Sequence, residues 1–367
     1  MNKIIQEDIQ RIIDSPIVDW ERFRNKTVLI AGANGMLPSY MAYALLCLNQ
    51  KRGYNIHVLA LVRNKAKGEK VFKDFSSGDG LEFLVQDVSE KVEYDKKIDF
   101  IIHAASQAAP SYYGVDPVGT LKANVSGTLN LLELARNNNV EGFLFYSSGS
   151  IYGEFKDESK KITENMYGYI DPLSSRICYA ESKRMGENMC VCYTYQYGVP
   201  TKIVRIFHTL GPNVNLNDGR VFSDFARNIS RGEDIVMKSD GSTRRTFCYV
   251  VDAVIAYFKI LLDGEVAKAY NVGGDERNDI SMKELAEMLC KAYSHKNIKI
   301  VYDIKQDDLT YVKMKTPQKQ EIPSLDKINA LGWDLTYDVE ESFRRVIDAN
   351  DDTAWGGVIK YLYRRAA

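Results

Sequence analysis

Six short apolar runs, most of them separated by a stretch of helical spacing, constrain this chain more than any other feature. They read TVLIA (27–31), IHVLALV (56–62), LEFLVQ (81–86), IDFIIHA (98–104), FLFYSS (143–148) and TKIVRIF (201–207). In each, apolar residues follow one another instead of alternating with polar ones, the pattern of a strand covered on both faces. MLPSYMAYALLCL (36–48), about 117–137 and about 179–196 read as helices between them. Strands and helices in alternation predict an α/β fold with a doubly wound parallel sheet.

Beyond about residue 207 the alternation loosens. Helices are expected at 221–231, 250–262 and 281–293 with short strands between, as a smaller C-terminal α/β lobe. Ahead of the first strand, Ile4, Ile5, Ile9, Ile12 and Ile13 recur at helical spacing and predict an amphipathic arm. The expected organisation is an arm over 1–24, a main domain over 25–206 and a lobe over 207–350, with about 246–272 returning to the main domain. A tail follows over 351–367. Without a Pro/Gly-rich linker, the two lobes should pack together around a cleft.

Bulk properties exclude several classes. Net charge is -1 over 367 residues, which gives no basic surface for nucleic acid or acidic lipid. No apolar run reaches the roughly 18 residues of a membrane span. Cys47, Cys178, Cys190, Cys192, Cys248 and Cys290 are scattered without a CxxC pair, and only four histidines are present, so no metal site is expected. MNKIIQEDIQRIID contains acids and is unlike a signal peptide, so reduced thiols and a cytoplasmic location are expected.

The first strand runs into Gly32-Ala-Asn-Gly35-Met-Leu-Pro38. A glycine-rich turn from strand to helix lets backbone amides approach a pyrophosphate at the positive helix end. Pro38 stands where a third glycine is usual, and the first helical turn tolerates it because those amides lack partners. Asp87, after the third run, is placed to meet an adenine. The second run ends Leu61-Val62-Arg63-Asn64, without the acid that would hold a ribose 2′-hydroxyl. Arg63 is open to two readings, a partner for the 2′-phosphate of NADP or a solvated surface arginine.

Tyr-x-x-x-Lys occurs three times among 23 tyrosines, at Tyr152–Lys156, Tyr179–Lys183 and Tyr311–Lys315. Context separates them. Tyr152 is followed by glycine, and Tyr311 lies in a polar late segment. Tyr179 opens a long helical stretch, so Lys183 follows one turn on along the same face. A lysine cation there lowers the phenol's pKa and makes it a usable base. The hydroxyl of Ser148, at the end of the preceding strand, can share the proton.

With these residues in order, the chain resembles the extended short-chain dehydrogenase/reductases that modify nucleotide sugars. The similarity runs from about 26 to 335 through GANG, QDV, HAAS, the stretch from Asn124, SSGSIYG, Tyr179-x-x-x-Lys183, RIFHTLGP, RRTFCYVVDA, YNVGG and LGW. Within that family it looks most like the UDP-glucuronate decarboxylase branch. The resemblance implies a Rossmann-type domain binding NAD(P), and places Gly32, Asn34, Gly35, Met36, Asp87, Val88, Ala104, Ala105, Ser106 and Asn124 on the cofactor beside Tyr179 and Lys183. It makes Ser148, Tyr179 and Lys183 the catalytic set. It sets Ser106, Tyr113, Ser150, His208, Arg220 and Arg245 around a nucleotide-diphosphate sugar. It also implies a homodimer paired through the helices near 117–137 and 179–196.

The stretch FYSSGSIYG (145–153) then bears on the reaction. Family dehydratases place Asp-Glu after the catalytic hydroxyl residue, and decarboxylases place a glutamate two positions after it. Here those positions are Gly149 and Ser150. The expected reaction is therefore oxidation of a sugar hydroxyl at C4, as a 4-epimerase or C4 oxidoreductase. A decarboxylase or dehydratase with altered acids is the alternative, and a non-catalytic regulator on the same fold is a third reading. His208, where the family has asparagine, can donate a hydrogen bond and titrates near neutral pH; it is read either as the mark of an altered substrate, an unusual sugar or an open-chain sugar alcohol, or as a neutral substitute for the asparagine.

Overall fold

The structure is a computed structural model and describes residues 1–108, 114–155, 161–304 and 321–351. The apolar runs form strands β1 (Thr27–Ala31), β2 (His57–Val62), β3 (Leu81–Val85), β4 (Phe100–His103), β5 (Gly142–Ser148) and β6 (Thr201–Ile206). Counting later strands in chain order, β7 to β10 are Thr209–Leu210, Ile235–Met237, Arg244–Thr246 and Cys248–Tyr249, and β11 is Ala269–Val272. The main sheet has seven strands in the order β3-β2-β1-β4-β5-β6-β11. Every neighbouring pair in it is parallel, with Leu29 opposite both Leu59 and Ile101. The expected α/β doubly wound sheet is therefore present, with one strand, β11, contributed by the later part of the chain.

The chain winds outward from β1 to β3, then crosses back to β4 and winds the other way. That reversal leaves a crevice at the carboxyl ends of β1 and β4, where open α/β sheets bind ligands. Helices α1 (Lys3–Ile13), α2 (Met36–Arg52) and α3 (Lys65–Val71) come first. The helix expected over 117–137 is interrupted. It consists of α4 (Pro117–Leu121), a π-helical turn (Lys122–Ser126) and α5 (Gly127–Asn138). A Cβ on Gly127 would lie 2.8 Å from Val88 Cγ1, so the chain approaches the sheet closely just beyond the π turn. π turns of this kind concentrate at functional sites.

Helix α6 (Cys178–Tyr197) packs on β5 and on the turn Gly149–Tyr152, and stops at Gly198, whose φ is 71°. Helices α7 (Val221–Arg231), α8 (Val250–Asp263), α9 (Met282–Ala292), α10 (Asp326–Asn329) and α11 (Val339–Ala349) follow. α8 lies against β5 and β6, on the main sheet. Two small strand pairs, β8 with Ile300–Tyr302 and β9 with Asp279–Ser281, brace the smaller lobe. Among the described residues no helix is long and apolar enough to cross a membrane.

The N-terminal arm is part of the core. Ile5, Ile9, Ile12 and Ile13 are buried, and α1 packs on α2, α8 and α11. Asp8, on the same helix, is 0% exposed. It accepts hydrogen bonds from Tyr40 on α2 (3.0 Å), from Tyr249 on β10 (2.7 Å) and from both Nε and Nη2 of Arg345 on α11 (3.0 and 2.8 Å). One carboxylate thus joins α1 to α2, β10 and α11. Replacing Asp8 by Ala strands two buried hydroxyls and a guanidinium, and should cost about 3–5 kcal/mol. Urea unfolding of Asp8→Ala beside the wild type measures this; an unchanged midpoint contradicts it.

Candidate active site

β1 delivers the chain into Gly32 at a φ of +75°, where a side chain is strained. The Gly32 amide donates to the Leu61 carbonyl at 2.9 Å, and the Gly35 amide to the Gly32 carbonyl at 2.9 Å. A Cβ on Gly32 would sit 2.8 Å from Ala105 Cα and 2.9 Å from Ala105 N, so the loop lies flush against the backbone leaving β4. Gly35 caps α2 without a side-chain hydrogen bond, which leaves the first amides of the helix facing the crevice. Pro38 is accommodated in that first turn. Asn34 and Met36 flank the loop half-buried. Nearby, Ser106 Oγ and Asn124 Oδ1 are buried without a hydrogen-bond partner in the chain. Orphaned buried oxygens are rare and mark places where a ligand or water completes the bonding.

Asp87 follows β3 and accepts from the Ser89 amide (2.9 Å) and hydroxyl (2.8 Å). Burial raises its pKa, but these bonds together with Arg63 and Lys122 outweigh that and hold it below the usual carboxylate value. Arg63 Nη1 lies 3.8 Å from Asp87 Oδ2. The guanidinium that sequence left to a 2′-phosphate or to solvent thus faces a carboxylate, although it remains 63% exposed. Val88 is buried against Gly127. Together the tight glycine loop, the open helix end, Asp87 and the orphaned oxygens fit a dinucleotide with its pyrophosphate over α2.

Across the crevice, Tyr179 is the second residue of α6 and Lys183 follows one turn on. The Lys183 side chain is buried between α6 and β5, where Nζ donates to the Tyr146 carbonyl at 2.7 Å. It lies 5.8 Å from the Tyr179 ring centroid and 5.0 Å from that of Phe145. Burial pushes the ammonium down to about 7 from the ordinary lysine range, against the opposing charge of Glu187. Gly186 makes this seam narrow, since a Cβ there would be 2.3 Å from Phe145 Cζ. Asn124 sits in the π turn and donates to Ser182 Oγ at 2.9 Å, while Ser182 Oγ donates to the Tyr179 carbonyl at 2.8 Å. The π turn is thus tied directly to the backbone of the candidate base.

Ser148 ends β5, and its Oγ accepts from the Ser150 amide at 3.1 Å and donates to Ser150 Oγ at 3.2 Å. Gly149 lies under the Phe207 ring, where a Cβ would meet three ring carbons at 3.0, 3.1 and 3.2 Å. Sequence reading placed Phe207 in a strand and assigned it no part in the site. Its apolar neighbours gave no signal of where the ring would point. Of the other Tyr-x-x-x-Lys pairs, Tyr152 is buried and bonded to Asn271 at 2.6 Å, whereas Lys156, Tyr311 and Lys315 lie outside the described residues.

The smaller lobe contributes a cationic group. His208, Arg220 and Arg245 come close enough that both guanidiniums act on the His208 ring. Arg220 pairs with Asp218 and lies over the Phe222 ring at 4.8 Å, while Arg245 is buried and donates to the Arg244 carbonyl at 2.7 Å. Burial, then Arg245 and Arg220, pull the imidazole down to about 3. That direction favours the reading of His208 as a neutral substitute, with its side chain 29% exposed and Nε2 3.9 Å from Glu321 Oε2. Tyr113 lies outside the described residues, and Ser150 is exposed at the crevice rim.

Comparison with known proteins bears on the family and the fold. Residues 28–273 match the NAD dependent epimerase/dehydratase family. The chain is 32% identical over 325 residues to UDP-glucuronic acid decarboxylase 1 of Danio rerio, covering 88% of this chain and 72% of that protein. It is 31% identical over 332 residues to UDP-glucuronic acid decarboxylase 6 of Arabidopsis thaliana, covering 89% and 90%. Among solved structures, a UDP-glucose 4-epimerase from Thermotoga maritima with UDP-glucose superposes with a TM-score of 0.72 at 21% identity, covering 89% of this chain and 99% of that one. At that identity the likeness speaks for the fold alone.

A buried, poorly compensated ammonium is a cost that a fold without a site would avoid. Lys183→Met should therefore raise the thermal unfolding midpoint, because an apolar side chain of similar length suits the seam better. Differential scanning calorimetry reads the effect, and a fall of the midpoint argues against the buried charge as described.

Proposed function

Because this chain belongs to the NAD-dependent epimerase/dehydratase family, whose dinucleotide is NAD, we propose that it oxidises the C4 hydroxyl of a UDP-sugar and reduces it again, as a 4-epimerase. NAD, when bound, supplies the acceptor for hydrogen leaving the sugar carbon. Gly32, Asn34, Gly35 and Met36 would hold its pyrophosphate, Asp87 and Val88 its adenine end, and Ala104, Ala105, Ser106 and Asn124 the wall of the crevice. Tyr179 takes the hydroxyl proton, Ser148 shares a hydrogen bond with the same oxygen, and the Lys183 ammonium stabilises the phenolate. Arg220 and Arg245 meet the diphosphate, and neutral His208 offers a hydrogen bond beside them. Ser150, and Tyr113 by resemblance, border the sugar.

One observation carries the choice of reaction. A Cβ at Gly149 would press on the Phe207 ring at 3.0–3.2 Å, so a side chain there needs the ring to give way slightly, and position 150 is a serine. A family dehydratase carries carboxyl groups at those two positions to remove water, and this turn has glycine and serine there. Oxidation and re-reduction at one carbon need only the hydroxyl base. The ketosugar turns over in the pocket, and Tyr179 returns the proton to the same oxygen.

A second reading rests on the identity to UDP-glucuronic acid decarboxylases across most of the chain. A ketone at C4 is β to a C6 carboxylate, so a uronate oxidised there can lose CO₂. The electron pair passes to the C4 oxygen as an enolate, and a proton then returns to C5. Incubation with UDP-glucose, UDP-galactose and UDP-glucuronate, followed by proton NMR, separates the two. The C4 epimer with no CO₂ is expected, and a UDP-pentose with CO₂ selects the decarboxylase. Tyr179→Phe should lower turnover about 10²–10⁴-fold and leave NADH affinity unchanged.

The proposed protein partner is a second copy of the chain. Val118, Leu121 and Leu129 on α4 and α5, and Met185 and Val191 on α6, are exposed on the helix pair that flanks the crevice. Apolar residues grouped on adjacent helices fit an interface. Leu129→Glu with Met185→Glu should convert a dimer to a monomer in sedimentation velocity, and a wild-type monomer at micromolar concentration would rule the dimer out.

A further inference from the structure

Arg205 and Glu187 form a buried pair that none of the roles above uses. Arg205 stands on β6 opposite Ser147 of β5 and Asn271 of β11. Its Nε and Nη2 donate to the two carboxylate oxygens of Glu187 at 2.9 and 2.7 Å, a two-pronged contact. Ser147 Oγ donates to the same carboxylate at 2.5 Å. On its other side, Arg205 Nη1 donates to the Tyr152 hydroxyl at 2.9 Å and the Glu164 carbonyl at 2.8 Å. The Tyr152 hydroxyl in turn donates a hydrogen bond to Asn271 Oδ1 at 2.6 Å. Arg205 is 2% exposed and Glu187 12%.

Each partner adjoins a residue of the reacting set. Glu187 lies one helical turn beyond Lys183 on α6, Ser147 precedes Ser148, and Tyr152 closes the turn that begins at Gly149. We propose that Arg205 and Glu187 are positioning residues that hold α6 in register with the Ser148 turn, so that Tyr179 and Ser148 meet one substrate oxygen. This rests on the oxidation proposed above. A planar guanidinium suits the task because its donors leave in fixed directions, whereas an ammonium is a point charge. Fold stability alone does not require the pair, since apolar residues of similar volume replace buried ion pairs without loss in other proteins.

That difference supplies the test. Arg205→Met with Glu187→Leu removes both charges together, and Arg205→Lys keeps the charge but loses the fork. With the UDP-sugar that the wild type accepts, both variants should fold, with a lowered unfolding midpoint, and keep KM while kcat falls about 10²-fold, the scale of a 1 Å misplacement. A folded variant of either kind with kcat within about twofold of wild type overturns the inference. If the wild type oxidises no UDP-sugar, the proposed reaction fails, and crystal structures of wild type and Arg205→Lys still decide the positioning role. A changed distance between Ser148 Oγ and the Tyr179 hydroxyl supports it, and an unchanged one overturns it.

Discussion

The cost of keeping an ammonium out of water shapes the seam between β5 and α6. Lys183 enters that seam because Gly186 lets the helix close on Phe145, and a backbone carbonyl of β5 accepts its proton. In bulk water the same side chain would hold its charge far above neutral pH. Here burial brings it down to about 7, where charge and neutrality are closely balanced. The surrounding core carries the expense. Phe143, Phe145 and Ile203 are almost fully buried and form one side of the sheet's packing.

The turn after Ser148 is governed from β6. Arg205 and Phe207 are two residues apart, so they project from the same face of the extended chain. Arg205 bonds to the Tyr152 hydroxyl, and the Phe207 ring lies 6.1 Å from the Tyr152 ring and directly over Gly149. An acid at position 149 would therefore press on the ring, which must shift by a few tenths of an ångström to admit it. The short run RIFH thus contributes a buried guanidinium fork to Glu187, a ring packed on Gly149 and an imidazole beside Arg220 and Arg245.

The sheet was legible because strands covered on both faces must be apolar throughout, and the glycine loop because few side chains tolerate a positive φ beside another backbone. Chemistry that depends on long-range neighbours was not. The π turn at Lys122–Ser126 has the composition of an ordinary helix, and the contacts that accompany it, Gly127 on Val88 and Asn124 on Ser182, join residues far apart in the sequence. His208 looked like a titrating group because nothing local announces that Arg220 and Arg245 converge on it. Nothing beside Asp8 in the sequence signals its role, because the three side chains that satisfy it lie 32, 241 and 337 positions away. Arg205 was hidden by the apolar residues around it, which supported a strand and said nothing of a buried ion pair.

The first helix also carries a consequence for how the chain is made. Its apolar face and its carboxylate are completed by α11, and Asn2 bonds to the Ala349 carbonyl at 3.1 Å. During synthesis the first residues leave the ribosome long before those last partners exist. α1 can settle early on α2, but Asp8 then waits with unmet hydrogen bonds until Arg345 emerges. Closure of the two ends is thus a late event, and a nascent chain halted before it would expose a sticky, half-charged helix to other chains.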